Sequence, residues 1–151
     1  MIDSRLIQLI PHRPPMLLLT RLVNVENSMS CAEVDIKATS PFCEPEKGVP
    51  SWIGVEYMGQ TAALIAGFQL EQGTVEPHLG LLLGTRKYQA TSPWFPLDSI
   101  LLVECVEVAV VGQNLATFAC EIHNKHSGDL YASAKLSVFR RPLQTDSHIK
   151  V

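Results

Sequence analysis

The residue best placed to do chemistry is Glu56. It lies in GVEYMGQTAALIAG (54–67), where its neighbours are almost all apolar or small. A carboxylate is costly to bury there without a partner. Such a group serves either as an acid or base, or as half of an ion pair with Arg13, Arg86 or Lys87. Gln60 follows four residues later, on the same face of a helix. It can orient Glu56 or a water, or simply pack. Ser51 suits the N-cap of the segment. The N–H groups of Ser51 and Trp52 would then lack partners within the helix and sit at its positive end. That makes either an anion site or an ordinary cap.

The elements that must position these groups can be read from the pattern. Residues 52–70 contain no proline and no strand-like alternation, and are rich in Ala, Leu, Met and Gln, so one long helix is expected. Before it, SRLIQLI (4–10) is a short amphipathic segment stopped by the prolines of PHRPP (11–15). MLLLTRLVNVE (16–26) reads as a buried strand. SMSCAEVDIKA (28–38) alternates with period two, and 39–50 reads as a loop. Four more strands are expected at 78–90, 99–111, 115–125 and 130–140, the last three joined by the hairpin loops GQN and HSGD. TSPWFPLD (91–98), with two prolines, is a longer connection. Strands with one segregated helix predict an α+β domain: an antiparallel sheet against a helix so apolar that the sheet must wrap it. Residues 1–140 form the domain, and 141–151 read as a mobile tail.

The totals exclude several classes. A chain of 151 residues, 46% hydrophobic and 18% charged, is one globular domain. Its net charge of -3 gives no footprint for nucleic acid. No apolar run reaches the ~18 residues a membrane span needs. The opening MIDSRLIQLIPHRPP lacks a basic leader and a long apolar core, so no secretory signal is expected. Cys31, Cys43, Cys105 and Cys120 form no CxxC pair or zinc spacing. They read as reduced cysteines of a cytoplasmic protein, with Cys105 and Cys120 acting as small hydrophobes in apolar strands. No metal or cofactor is expected.

LIPHRPPMLLLTRLVNVE (9–26), PSWIGVEYMGQTAA (50–63) and LGLLLGTRKYQATSPWFPLDSILLVECVEV (79–108) together resemble the 3-hydroxyacyl-acyl-carrier-protein dehydratases. Those enzymes have the hotdog fold, and the resemblance covers about residues 1–140. It is nearest to the dehydratase-like branch of bacterial aryl-polyene gene clusters. It implies a sheet wrapped around the central helix. The implied reaction is dehydration of a 3-hydroxyacyl thioester to the trans-2-enoyl thioester on an acyl carrier protein. It also implies paired subunits with sites at their interface, in a homodimer or in a heterodimer with a standard dehydratase.

By resemblance Glu56 is the helix carboxylate, the general acid. The standard enzymes carry their base in a His-Phe-Pro-Gly loop before the helix. Here that loop, PFCEPEKGVP (41–50), is shorter and has no histidine. His12, in the matching Pro-His-Arg opening, is the candidate replacement, or else it orders its own turn. Ser51 and Trp52 stand at the family's Pro-Gly position, where the free N–H groups of the helix start would receive the thioester oxygen or be simply capped, and Leu82, Leu83 and Gly84 either line an acyl tunnel or pack in the core. Arg13, Arg86, Lys87, Arg140 and Arg141 would form a basic rim for an acidic carrier. His78, His123, His126 and His148 are read as solvated. Two other readings stay open: a non-catalytic partner of a dehydratase, and an acyl thioesterase using Glu56 with water.

Overall fold

The computed structural model describes residues 2–75, 78–112 and 114–142. The apolar segment around Glu56 forms α2 (Gly54–Glu71), entered through a 3-10 turn at Ser51–Ile53. Its buried residues include Tyr57, Met58, Thr61, Leu64 and Ile65, spaced by three and four, which places them on one side of the helix. That side packs against a six-stranded antiparallel sheet. The strands are β1 (Arg21–Val25), β2 (Met29–Asp35), β4 (His78–Ala90), β6 (Ile100–Val111), β7 (Leu115–Asn124) and β8 (Leu130–Pro142). Their order across the sheet is β1-β2-β6-β7-β8-β4.

The core lies between sheet and helix. Alternate residues of three neighbouring strands point inward and are buried: Leu101, Val103 and Cys105; Ala116, Phe118, Cys120 and Ile122; Ala132, Ala134 and Leu136. Each large aliphatic side chain hidden there contributes about 1.5–3 kcal/mol. Cys105 and Cys120 face each other across β6 and β7 as free thiols, their sulfurs in contact at 2.8 Å.

Two glycines allow the close approach. A Cβ on Gly54 would lie 2.3 Å from the Tyr88 hydroxyl, and one on Gly67 would lie 2.0 Å from the Leu9 carbonyl oxygen. Gly67 therefore seats the end of α1 (Ser4–Leu9) directly on α2.

Several expectations need correction. Residues 16–20 are not strand. They run as an extended leg whose buried Leu18 is held by a side chain of α2 rather than by a ladder. Two three-residue strands, β3 (Gly48–Pro50) and β5 (Trp94–Pro96), pair inside segments expected to be loops. They are too short and too rich in proline to show a period. β2 is buried on both faces, because Arg21 and Lys125 cover its outward Glu33. β8 runs two residues past the expected end at 140, and residues 143–151 of the expected tail lie outside the described residues.

Candidate active site

The side of α2 turned away from the core carries Glu56, Gly59, Ala63, Ala66, Gly67 and Leu70, a stripe at helical spacing. Gly59, Ala63, Ala66 and Gly67 are small, so they leave space. A largely apolar cavity of about 420 Å³ runs along them. Its other walls are Leu9, Pro11 and His12 on one side, and Gly80, Leu82, Phe118, Val138 and Arg140 on the other. Glu56 is exposed in the protomer rather than buried, since its stripe is the open side of α2. It forms no salt bridge among the described residues, so the alternative of an ion pair with Arg13, Arg86 or Lys87 is not realised there.

His12 reaches this cavity because the turn that carries it is tied down. The Arg13 guanidinium donates to the carbonyls of Ile7 (3.1 Å), Ile10 (2.7 Å) and His12 (2.8 Å), closing the end of α1. The N–H groups of Met16 and Leu17 return to the Arg13 carbonyl. Beyond them Gln60 takes hold: its Nε2 donates to Met16 O at 2.8 Å and its Oε1 accepts from the Leu18 N–H at 2.9 Å. Gln60 thus positions the histidine segment instead of orienting Glu56.

Burial pushes the His12 imidazole below its ordinary pKa. The Glu56 carboxylate opposes that shift and the Arg13 charge adds to it. A neutral imidazole is the form able to take a proton. Its Nδ1 is buried without a hydrogen-bond partner among the described residues, so no neighbour there selects a tautomer through it.

The comparisons with known proteins bear on this arrangement. The model of the ApeP-like family, described as ApeP dehydratase, matches residues 4–150. The chain belongs to the ApeP-like dehydratase family. A curated relative of this ApeP-like chain is the 3-hydroxyacyl-[acyl-carrier-protein] dehydratase FabZ of Bradyrhizobium diazoefficiens. The two are 32% identical over 102 residues, 64% of this chain and 66% of the relative. The match therefore spans just under two thirds of that enzyme. Among solved structures, the dehydratase heterocomplex ApeI:P from Xenorhabdus doucetiae superposes with a TM-score of 0.81 at 23% identity, over 96% of this chain and 95% of that one. A hypothetical thioesterase with coenzyme A from Streptococcus pneumoniae follows at 0.64 and 11%, covering 83% and 88%. At such identities the superpositions establish the hotdog fold alone.

The other predicted site residues of this ApeP-like protein are placed less simply. Ser51 is not an N-cap: its side chain makes no capping bond, and its N–H already donates to the Pro93 carbonyl at 2.9 Å. Its own carbonyl accepts from the Tyr88 hydroxyl, whose pKa burial pushes up to about 12 and which therefore stays a donor. Trp52 is 65% exposed, its ring tilted against that of Phe42 with centroids 6.4 Å apart. Neither residue lines the cavity.

Leu82 lines the cavity, but Leu83 and Gly84 do not. The β4–β8 register slips between Leu82 and Gly84, which leaves Leu83 unpaired and 61% exposed.

The basic rim also changes. Arg13 is engaged with backbone carbonyls, and Arg140 is buried in an ion pair with Glu107. Sequence reasoning missed Arg140 as a cavity residue. The signal was present: it occupies the next alternate position after Ala132, Ala134, Leu136 and Val138, where the pattern calls for an apolar residue. His123 sits between Glu104 and Glu121 on the sheet, at 3.8 and 3.7 Å, and His126 is exposed in a turn. The side chain of His78 and all of His148 lie outside the described residues. No group of three or more His, Cys, Asp or Glu among the described residues could hold a metal. No described helix is long and apolar enough to cross a membrane.

Proposed function

We propose that this protein dehydrates a 3-hydroxyacyl thioester, carried on an acyl carrier protein, to the trans-2-enoyl thioester. The observation that carries the reading is that His12 and Glu56 line one largely apolar cavity, with the carboxylate acting on the imidazole. The cavity suits an acyl chain. Neutral His12 takes the proton from the carbon next to the thioester carbonyl. The freed electron pair forms the carbon–carbon double bond as the bond to the 3-hydroxyl breaks. Glu56, as the general acid, delivers a proton to the departing oxygen, which leaves as water. The proton on His12 then returns to Glu56 within the same cavity, restoring both groups. Gln60 and Arg13 hold the histidine segment in place. Family membership and the FabZ relative support the reaction class.

The pathway is an aryl-polyene-type fatty-acid or polyketide-like route in the cytoplasm. The open stripe of α2 is covered by a second hotdog subunit, either another copy or a standard dehydratase. The latter pairing is suggested by the heterocomplex to which the fold is similar.

A second reading is a partner subunit without catalysis of its own. The absence of histidine from residues 41–50 favours it. Mass spectrometry of a 3-hydroxyacyl carrier incubated with the protein separates the cases. Loss of one water, abolished in Glu56→Gln and His12→Ala, supports dehydration. Release of free acid supports a thioesterase. No change alone, with loss of water only after a standard dehydratase is added, supports the partner role. Full activity in both variants would overturn the site assignment.

A further inference from the structure

We propose that the Arg140–Glu107 ion pair is the end stop of the acyl cavity and sets the longest apolar chain it accepts. This rests on reading the cavity as an acyl-chain site. Arg140 faces inward from β8 at only 8% exposure, and its guanidinium donates to the Glu107 carboxylate on β6. The strand between them, β7, presents the small Ala116 inward, so the guanidinium can cross over it. Two opposite charges thus stand in an apolar inner face, where alternate residues of β6, β7 and β8 are otherwise core.

The ladder places this pair at the end of the cavity remote from Glu56. Leu82 sits over Gly59, one turn from Glu56: a Cβ there would meet Leu82 Cδ2 at 3.7 Å. Gly80, two residues back along β4, is the register partner of Arg140. The wall therefore runs from Leu82 to Gly80 and Arg140 as α2 runs from Gly59 toward Gly67 and Leu70. From Glu56 to Gly59 the helix rises about 4.5 Å, and from Leu82 to Gly80 the strand adds about 7 Å, which makes about 11 Å from the carboxylate to the ion pair. An extended alkyl chain advances roughly 1.25 Å per carbon. A chain whose thioester carbonyl lies at His12 and Glu56 meets the ion pair after about nine carbons. A longer alkyl end must strip a charge pair of the water it retains, with nothing polar to offer in return.

Binding of unreactive S-alkyl pantetheine thioethers, from about six to about eighteen carbons, tests this on the intact protein. Each buried methylene should tighten binding about four-fold, and the gain should stop at about nine carbons. Replacing the pair by apolar side chains, Arg140→Met with Glu107→Leu, keeps volume and leaves no unpaired charge. It should move the break to longer chains. Arg140→Gln with Glu107→Gln removes the charges while keeping polar groups and should move it less; it serves if the first variant does not fold. A thermal melt identifies the folded variants. A break that stays in place in a folded variant, or no break in the wild type, overturns the proposal. Dehydration of carrier-borne substrate is assayed separately. Its absence with a movable break removes the reaction but not the end stop. Dehydration with a break indifferent to the pair removes the end stop alone.

Discussion

Gln60 clamps the backbone of Met16 from the central helix, its Nε2 donating to the Met16 carbonyl at 2.8 Å while its Oε1 holds the Leu18 N–H at 2.9 Å. Both ends of one buried amide are used, and the chain so held leads back to His12. Gln60→Leu leaves the buried Leu18 N–H and the part-buried Met16 carbonyl without their partner. It should destabilise the fold by about 2–3 kcal/mol in denaturant unfolding. Gln60→Glu keeps an acceptor for the Leu18 N–H but sets a buried carboxylate against the Met16 carbonyl, and should destabilise at least as much at neutral pH. If the dehydration reading holds, both should lower kcat more than they raise KM, since the loss is of positioning.

His12 is expected to act in its neutral form. Its folded pKa lies below the ordinary value, chiefly through burial. As pH falls below ~6.5 the unfolded chain takes up the proton first. The site therefore contributes stability at neutral pH that declines as the medium is acidified through that window. The dehydration rate should show an acid limb below ~6.5. His12→Ala should remove that limb and cost about 10²–10⁴-fold in rate. An unchanged pH–rate profile in the variant would show that His12 is not the base.

The glycines of α2 should respond in opposite ways. Gly67→Ala drives a methyl into the Leu9 carbonyl, where the ideal Cβ lies only 2.0 Å away. A cost of about 1–3 kcal/mol or more is expected from urea unfolding. Gly59→Ala meets only Leu82, at an ordinary 3.7 Å. It should stabilise by about 0.5–1 kcal/mol, because alanine restricts the unfolded chain and favours helix.

Glu33 ties the outer face of the sheet together. Burial pushes its pKa up, but hydrogen bonds from Arg21 and Lys125 outweigh this and hold it below the ordinary carboxyl value. Its stabilising effect is therefore present above ~4.3 and is lost as pH falls through the lowered folded value. Lys125→Met, which breaks a 2.9 Å pair, should cost about 1–2 kcal/mol at neutral pH and progressively less in acid. Melting temperatures across that range would check it.

Much of the fold was legible in one dimension because its signals are local. The helix over 52–70 and the strands over 99–111, 115–125 and 130–140 differ from the observed elements by only a few residues. Each is long enough for its period to show. β3 and β5 hold three residues apiece and carry no period at all. The extended leg at 16–20 has a strand's composition, but its buried N–H at Leu18 is satisfied by Gln60, 42 positions away. Nothing in its own sequence signals that bond.

The same division runs through the site. By itself the sequence marked Glu56 and Gln60 as polar groups on one face of an apolar helix, and singled out PHRPP as the turn to watch. Side-chain type and helical spacing are enough for that. Only the tertiary structure decided that His12 and Glu56 share a cavity and that Gln60 serves the histidine segment. It also turned Leu83 outward and made Arg140 part of the cavity wall instead of the surface. Those outcomes depend on strand register and on contacts between residues far apart in the chain, which spacing along one segment does not encode.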